Sequence, residues 1–299
     1  MRCSTPGFIF ISRLLILVSL LCCLPGEVNA ATPGRFMLRL SLGGGRLNLD
    51  EISEVVREGE YNTAAWAPGG TMVPGSGIPE PGPCYDAGAE LLVFFSPRWA
   101  LGLEVGMSGN TRKGQVAWIG TENTSVRHAA EVRHTVVPIR LNARYFLGGS
   151  RGLQAYVLAG AGLYPGRLNL IQKNMMRSAA EEHQMFFIAQ GRGTAMGLHA
   201  GVGASFRLTR RLRFFVDAIG QMVRIGSLKG SGIIQDLTTG LGDSNRGEFW
   251  VVTSENGSRV GKSVVVAMNQ PAGPAILEAK KLSMDLSGWT LRAGIMIRL

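Results

Sequence analysis

The chain has 299 residues, 17% of them charged, with a formal net charge of +10 and 41 glycines. That length allows one large β domain or two modest ones, and no segment reaches the roughly 18 consecutive apolar residues that mark a helical membrane span. The basic residues are scattered, with no Lys/Arg run interleaved with aromatics. The charge therefore points to internal pairing and anionic lipid headgroups rather than to nucleic acid.

The chain opens with Arg2 and Arg13 around a polar start, followed by an apolar run from Leu14 to Leu24. Pro25 and Gly26 break the run, and Val28-Asn29-Ala30 offers a small-residue cleavage site before Ala31. Residues 1–30 read as a cleaved secretory signal peptide, because the core is too short to span a membrane. Cys22 and Cys23 each follow a bulky residue, which argues against a lipid-anchored start. Cleavage would leave Cys84 as a lone thiol, with no disulfide partner and no metal-ligand set around it.

From residue 31 to 299 the dominant pattern is alternation with period two. Phe36, Leu38, Leu40 and Leu42 oppose Arg35, Arg39 and Ser41. Ala87 to Phe95 (odd positions) oppose Asp86, Gly88 and Glu90. Trp99, Leu101, Leu103, Val105 and Met107 oppose Gly102, Glu104, Gly106 and Ser108. Val137 to Tyr145 oppose Arg140, Asn142 and Arg144. Ala155 to Leu163 oppose Gln154, Tyr156, Gly160 and Gly162, and Leu198 to Leu208 oppose His199, Gly201, Gly203, Ser205 and Arg207. Leu212, Phe214, Val216 and Ala218 oppose Arg213, Asp217 and Gln221. The last stretch sets Trp289, Leu291, Ala293, Ile295, Ile297 and Leu299 against Thr290, Arg292, Gly294, Met296 and Arg298.

Three connections are very short: Ser96-Pro97-Arg98, Gly148 to Gly152, and Thr209-Arg210-Arg211. They alternate strictly with long ones at about 50–83, 110–130, 165–193 and 226–283. A sandwich has no reason to segregate loop lengths in this way, whereas a membrane barrel does, with tight inner turns and long outer loops. The expectation is an all-β, eight-stranded antiparallel up-and-down transmembrane barrel, closed so that no edge meets lipid. The Pro- and Gly-rich stretch from Pro68 to Pro83 is expected to be poorly ordered.

Several motifs are weighed and set aside. Gly257 to Ser263 resembles a phosphate-binding loop one residue short, with Asn256 in place of the first Gly. Such a loop needs a helix after it, but Val264-Val265-Val266 is β-prone. Asn256-Gly257 instead reads as a tight hairpin turn, and that hairpin either stands in the last outer loop or adds two strands to the barrel. His128, His134, His183 and His199 are followed two places on by Ala130, Val136, Met185 and Gly201, so no serine is poised for activation. Glu181-Glu182-His183 reads as a solvated patch. No catalytic, cofactor or metal residues are assigned.

The polar face carries its own pattern. Arg39, Glu90, Glu104, Arg140, Asp217 and Arg292 sit at similar heights on their strands and form one expected charge layer. Neighbouring strands suggest the pairs Arg39–Glu90, Glu104–Arg140 and Asp217–Arg292, since unpaired interior charges would each cost several kcal/mol. The layer either plugs the lumen or filters ions.

Two resemblances sharpen the reading. The chain end, with Arg292, Gly294, Ile297 and Leu299, resembles the C-terminal sorting strand of bacterial outer-membrane barrels, which the barrel-assembly machinery recognises; Leu299 stands where that family more often has Phe. VPIRLNARYFL and LQAYVLAGAGLY (residues 137–164), TAMGLHAGVGASFRLTRRLRFFVDA and DLSGWTLRAGIMIRL resemble strands of the small outer-membrane β-barrel domain family, the OmpA/OmpX-like group. The likeness covers the membrane strands and not the long loops, and it specifies a barrel rather than an activity. With no catalytic pairing in the sequence and four long loops, the expectation is a non-enzymatic outer-membrane protein with a charged, plugged lumen and a structural or surface-interacting role, in contact with outer-membrane lipid and with loops free to meet an extracellular partner. The alternatives are a small anion-preferring diffusion channel and, third, a lipid-modifying enzyme.

Overall fold

A computed structural model describes residues 35–64, 70–74, 76–77, 82–120, 124–148, 152–179, 181–256 and 259–299. The expected signal peptide, its cleavage site at Ala31, Gly257 and part of Pro68 to Pro83 lie outside them. In chain order the elements are β1 (Arg35–Leu47), α1 (Asp50–Ala64), β2 (Thr71–Met72), β3 (Cys84–Phe94), β4 (Trp99–Ile119) and β5 (Ser125–Val136). Then come β6 (Ile139–Gly148), β7 (Leu153–Arg177), β8 (Glu182–Arg207), β9 (Leu212–Ile225) and β10 (Lys229–Asp236). The last are β11 (Gly242–Asn256), β12 (Arg259–Ala267), β13 (Ile276–Lys281), β14 (Met284–Asp285) and β15 (Gly288–Arg298).

The antiparallel ladders run β1–β3–β4–β6–β7–β8–β9–β15, and β15 pairs back onto β1. This circuit contains the eight alternating stretches of the sequence. Its two faces differ as the alternation requires. Trp99, Leu101, Leu103, Val105 and Met107 are exposed on the outside, while Ala100 and Glu104 between them are buried inside. A circuit that returns to its start leaves no row of unpaired backbone groups.

The connections expected as long loops are mostly ladder. β4, β7 and β8 run 21, 25 and 26 residues, well over the roughly 9–11 that a tilted strand needs to cross a bilayer. β5 fills the space between β4 and β7 above β6. Even part of the Pro- and Gly-rich stretch is paired, with Thr71 and Met72 opposite Ile119 and Trp118 and Gly77 bridged to Gln115. These extensions read as loops because the chemistry of the two faces exchanges there. In β5 the inward residues are Val126, Ala130, Val132 and Val136, and outward Arg127 and Arg133 face solvent. In β6 the inward residues are Arg140 and Arg144, and the outward ones Ile139 and Leu141.

That exchange builds a second core above the first. Leu47, Val132, Leu168, Val223, Phe249 and Leu282 pack there around α1. The helix starts where Ser53 N donates to Leu49 O at 2.9 Å, and Asp50 and Glu51 complement its N-terminal dipole. Leu49, Ile52, Val55 and Val56 recur at helical spacing and bury the face that fills the mouth of the circuit. β10 joins β8, β11 joins β10, and β12 and β13 both pair with β11. The β11–β12 hairpin therefore lies off the eight-strand circuit and adds nothing to it. The strand Arg259–Ala267 includes Val264-Val265-Val266, where a phosphate-binding loop would need a helix, so that geometry is not available.

Glu51 ties α1 to the end of the last excursion. Its carboxylate accepts the Ser283 backbone N–H at 2.8 Å and faces Lys280 Nζ at 3.0 Å. Partial burial would raise its pKa, but the Ser283 and Lys280 contacts outweigh that and hold it below the ordinary glutamate value of 4.5. A carboxylate with a lowered folded pKa stabilises the fold above its unfolded value and loses that contribution as pH falls through the folded one. Protection of the Ser283 amide against hydrogen exchange, taken relative to the intrinsic rate at each pH, should accordingly fall below about pH 4.5 in the native chain. In Glu51→Gln that protection should be low already at neutral pH and flat with acidification.

Candidate functional site

Inside the circuit the side chains form layers. At the short-turn end Met37, Leu92, Phe94, Ala100, Phe146, Phe215 and Met296 make an apolar floor. The Phe94 and Phe146 rings stack with centroids 5.2 Å apart, and Phe146 meets Tyr156 at 5.3 Å. Above the floor stand the charges, and above them the second core with α1.

Arg39, Glu90, Glu104, Arg140, Asp217 and Arg292 are all buried in one network, joined by Asp86 and Arg144. Glu90 accepts from Arg39 at 2.8 Å, Arg144 at 2.6 Å and Asn142 at 2.6 Å. Glu104 accepts from Arg140 at 2.8 Å, Arg292 at 2.5 Å and Asn142 at 3.2 Å. Asp86 lies 3.5 Å from both Arg140 and Arg292. Glu90 and Glu104 face each other directly across the β3–β4 ladder. The two adjacent carboxylates are each countered by two guanidinium groups and share the Asn142 amide.

The third expected pair is present, but as the longest of the three contacts. Asp217 and Arg292 are ladder neighbours, but their closest approach is 3.8 Å. Asp217 takes a short ion pair from Arg39, which reaches it across the interior, and a short hydrogen bond from the Tyr156 hydroxyl. Arg292 turns to Glu104. Neighbouring ladder positions fix which residues share a face, not which charges meet across a closed interior. Asp86 and Arg144 lie on the polar face in sequence, but their heights set them apart from the other six.

Aromatic rings support the guanidinium groups: Arg39 lies 3.6 Å over Phe215, Arg144 5.3 Å over Tyr156, and Arg140 5.6 Å over Tyr164. Inward glycines make the room. A Cβ at Gly102 would come within 2.2 Å of Glu90 Oε1, and one at Gly203 within 2.3 Å of Asp217 Oδ1 and 2.5 Å of the Tyr156 ring. The chain of polar contacts ends at His199, whose Nε2 meets Asn142 Oδ1 at 2.5 Å and whose Nδ1 meets Tyr164 Oη at 3.3 Å.

Such an arrangement locks strands in register and fills the interior with paired charge. Both ring nitrogens of His199 are thus engaged, by Asn142 and Tyr164. Among the described residues, too, no group of three or more His, Cys, Asp or Glu is placed to hold a metal ion. His183 meets Glu181 at 3.3 Å, both substantially open to solvent, at the far tip of β8. At the chain end, Gly294 sits where a Cβ would meet Leu40 O at 1.9 Å, Ile297 lies opposite Leu38 and Leu212, and Leu299 is exposed.

No protein-family model matches the chain, and no curated protein matches it in sequence. Among solved structures it is similar to the outer membrane protein OprG from Pseudomonas aeruginosa, at 12% identity and a TM-score of 0.40, covering 91% of this chain and 99% of that one. It is also similar to the outer membrane protease OmpT from Escherichia coli, at 10% identity and a TM-score of 0.34, covering 91% of this chain and 100% of that one. A third is the translocator domain of the autotransporter NalP from Neisseria meningitidis, at 8% identity and a TM-score of 0.22, covering 98% and 96%.

Proposed function

We propose that this chain is an integral outer-membrane protein: an eight-stranded antiparallel transmembrane barrel, non-enzymatic, with a sealed interior and a folded outer domain that meets the surroundings. The observation that carries this is the inversion of faces around the circuit. Leu42, Leu103, Leu141, Leu198, Val216 and Leu291 are exposed on the outside, while the opposite face buries arginines and carboxylates. In water those outward side chains would form an apolar surface far beyond the few hundred Å² a soluble protein exposes. In a bilayer they face lipid, and the closed ladders satisfy every backbone group that lipid could not. The OmpA/OmpX-like strand motifs support the same reading, and outer-membrane lipid and the barrel-assembly machinery are the partners it requires.

The anion-preferring channel loses its motive. Among the described residues, four buried arginines meet four buried carboxylates in the interior, so no excess positive charge favours anions. The apolar floor below and α1 above leave the network between two dry layers. Purified protein in a planar bilayer should give no stable unitary conductance steps. Reproducible steps with anion selectivity would overturn the sealed interior and restore the channel.

A further inference from the structure

We propose that the outer face of β5, β7 and β8 holds a binding site for the phosphate-bearing headgroup of an outer-leaflet glycolipid. The site rests on the membrane reading and gives it a specific lipid partner. An open cleft of about 790 Å³ lies there, lined by Arg133, Arg167, Arg192 and Asn169 among others. The ladders bring the cations together from three strands: Thr135 is opposite Arg167, Arg167 is opposite Arg192, and Arg133 is opposite Asn169. All three arginines are exposed, and none has a carboxylate within ion-pair distance among the described residues. Arg167 is held in place by donating to Gln190 Oε1 at 2.8 Å.

The surface below the cleft identifies the kind of ligand. One rung down, Val137 N donates to Pro165 O at 2.9 Å, and Val137 is exposed. One rung further, Ile139 and Leu163 are opposite each other, and Leu163 is opposite Met196, with all three exposed. Along each strand two residues span about 7 Å, so the face changes from three guanidinium groups to bare hydrocarbon within roughly 15 Å. An amphiphile with an anionic head and acyl chains matches that change; a soluble anion matches only its upper half. Guanidinium forks fit phosphate oxygens in bidentate fashion, and unpaired cations so close together repel one another until an anion joins them. Asn169 Oδ1 is buried without a hydrogen-bond partner in the same cleft. It calls for a donor, which phosphate oxygens do not offer and sugar hydroxyls do.

The test uses the full protein in phosphatidylcholine vesicles doped with a diphosphorylated glucosamine-disaccharide lipid or with the same lipid after enzymatic dephosphorylation. Flotation first establishes that the protein is in the bilayer, and native mass spectrometry after detergent extraction counts retained glycolipid. Wild type should keep the phosphorylated form selectively. Arg167→Gln with Arg192→Gln should lower retention by roughly tenfold or more, since each charge-assisted bond is worth about that factor. Arg246→Gln, which removes an exposed charge from β11 outside the cleft, should leave retention unchanged. Equal retention of the dephosphorylated lipid, equal loss in the Arg246 variant, or displacement by millimolar inorganic phosphate would overturn the site while leaving the membrane reading intact. A wild-type protein that does not float with vesicles would overturn the membrane reading and the site together.

Discussion

Replacing Glu104 with Gln is expected to destabilise the protein by about 3–5 kcal/mol, the cost of leaving buried arginines without their counter-charge. Glu104 holds both Arg140 and Arg292, so its loss takes the closest counter-charge from two guanidinium groups at once. Adding Arg140→Met should recover part of the loss and no more. Arg292 still faces the new Gln and keeps only the longer contacts to Asp86 at 3.5 Å and Asp217 at 3.8 Å. The cycle is read from urea unfolding of protein refolded into detergent micelles. Its coupling should stand well above the roughly 0.2–1 kcal/mol of exposed pairs. Lys113 and Glu131, 2.9 Å apart on the outer ladder with Lys113 66% exposed, supply that exposed pair in the same molecule. Equal coupling at the two sites would mean that the interior is wet and the network is not a seal.

Replacing Ile297 and Leu299 together with Asp should abolish assembly in the outer membrane and leave the chain in the periplasm. Ile297 lies between Leu38 and Leu212 at the seam where β15 closes onto β1 and β9, so a carboxylate there interrupts the apolar outer row. A charge near the edge of the bilayer costs only about 0–1 kcal/mol in a finished barrel. Near-complete loss from the membrane would therefore point to recognition of the terminal strand rather than to a weakened fold. Membrane fractions read this directly, and wild-type recovery of the doubly substituted chain would rule out the sorting role.

The parts of the fold visible in sequence are those where one face is apolar and the other polar. Trp99 to Met107 alternate cleanly because that stretch has to separate hydrocarbon from buried charge. The extensions hide themselves: β5 alternates just as strictly, but with Val132 and Val136 inside and Arg133 outside, and in company with long polar stretches it reads as a loop. α1 is legible in principle, from acidic Asp50 and Glu51 among Leu49, Ile52, Val55 and Val56 at helical spacing, but its weak overall hydrophobicity lets it pass as loop. In the interior, height along the strand selects six of the eight charges. The Arg39–Asp217 contact is not legible, because it crosses the interior between strands that are not ladder neighbours.

The central claim is that the outer face meets lipid and the inner face meets neither lipid nor water. A spin-label scan of residues 99–107 of β4, in a Cys84→Ser background in lipid bilayers, tests both halves at once. Labels at Trp99, Leu101, Leu103, Val105 and Met107 should collide freely with oxygen, which concentrates in hydrocarbon, and weakly with a water-soluble nickel complex. A label at Ala100, the inward position that is neither a crowded glycine nor part of the charge network, should be shielded from both, so that oxygen access is high at the odd positions with no matching rise in nickel access. Nickel access at Ala100 would mean an open pore, and nickel access at the odd positions would mean that this face never enters a membrane.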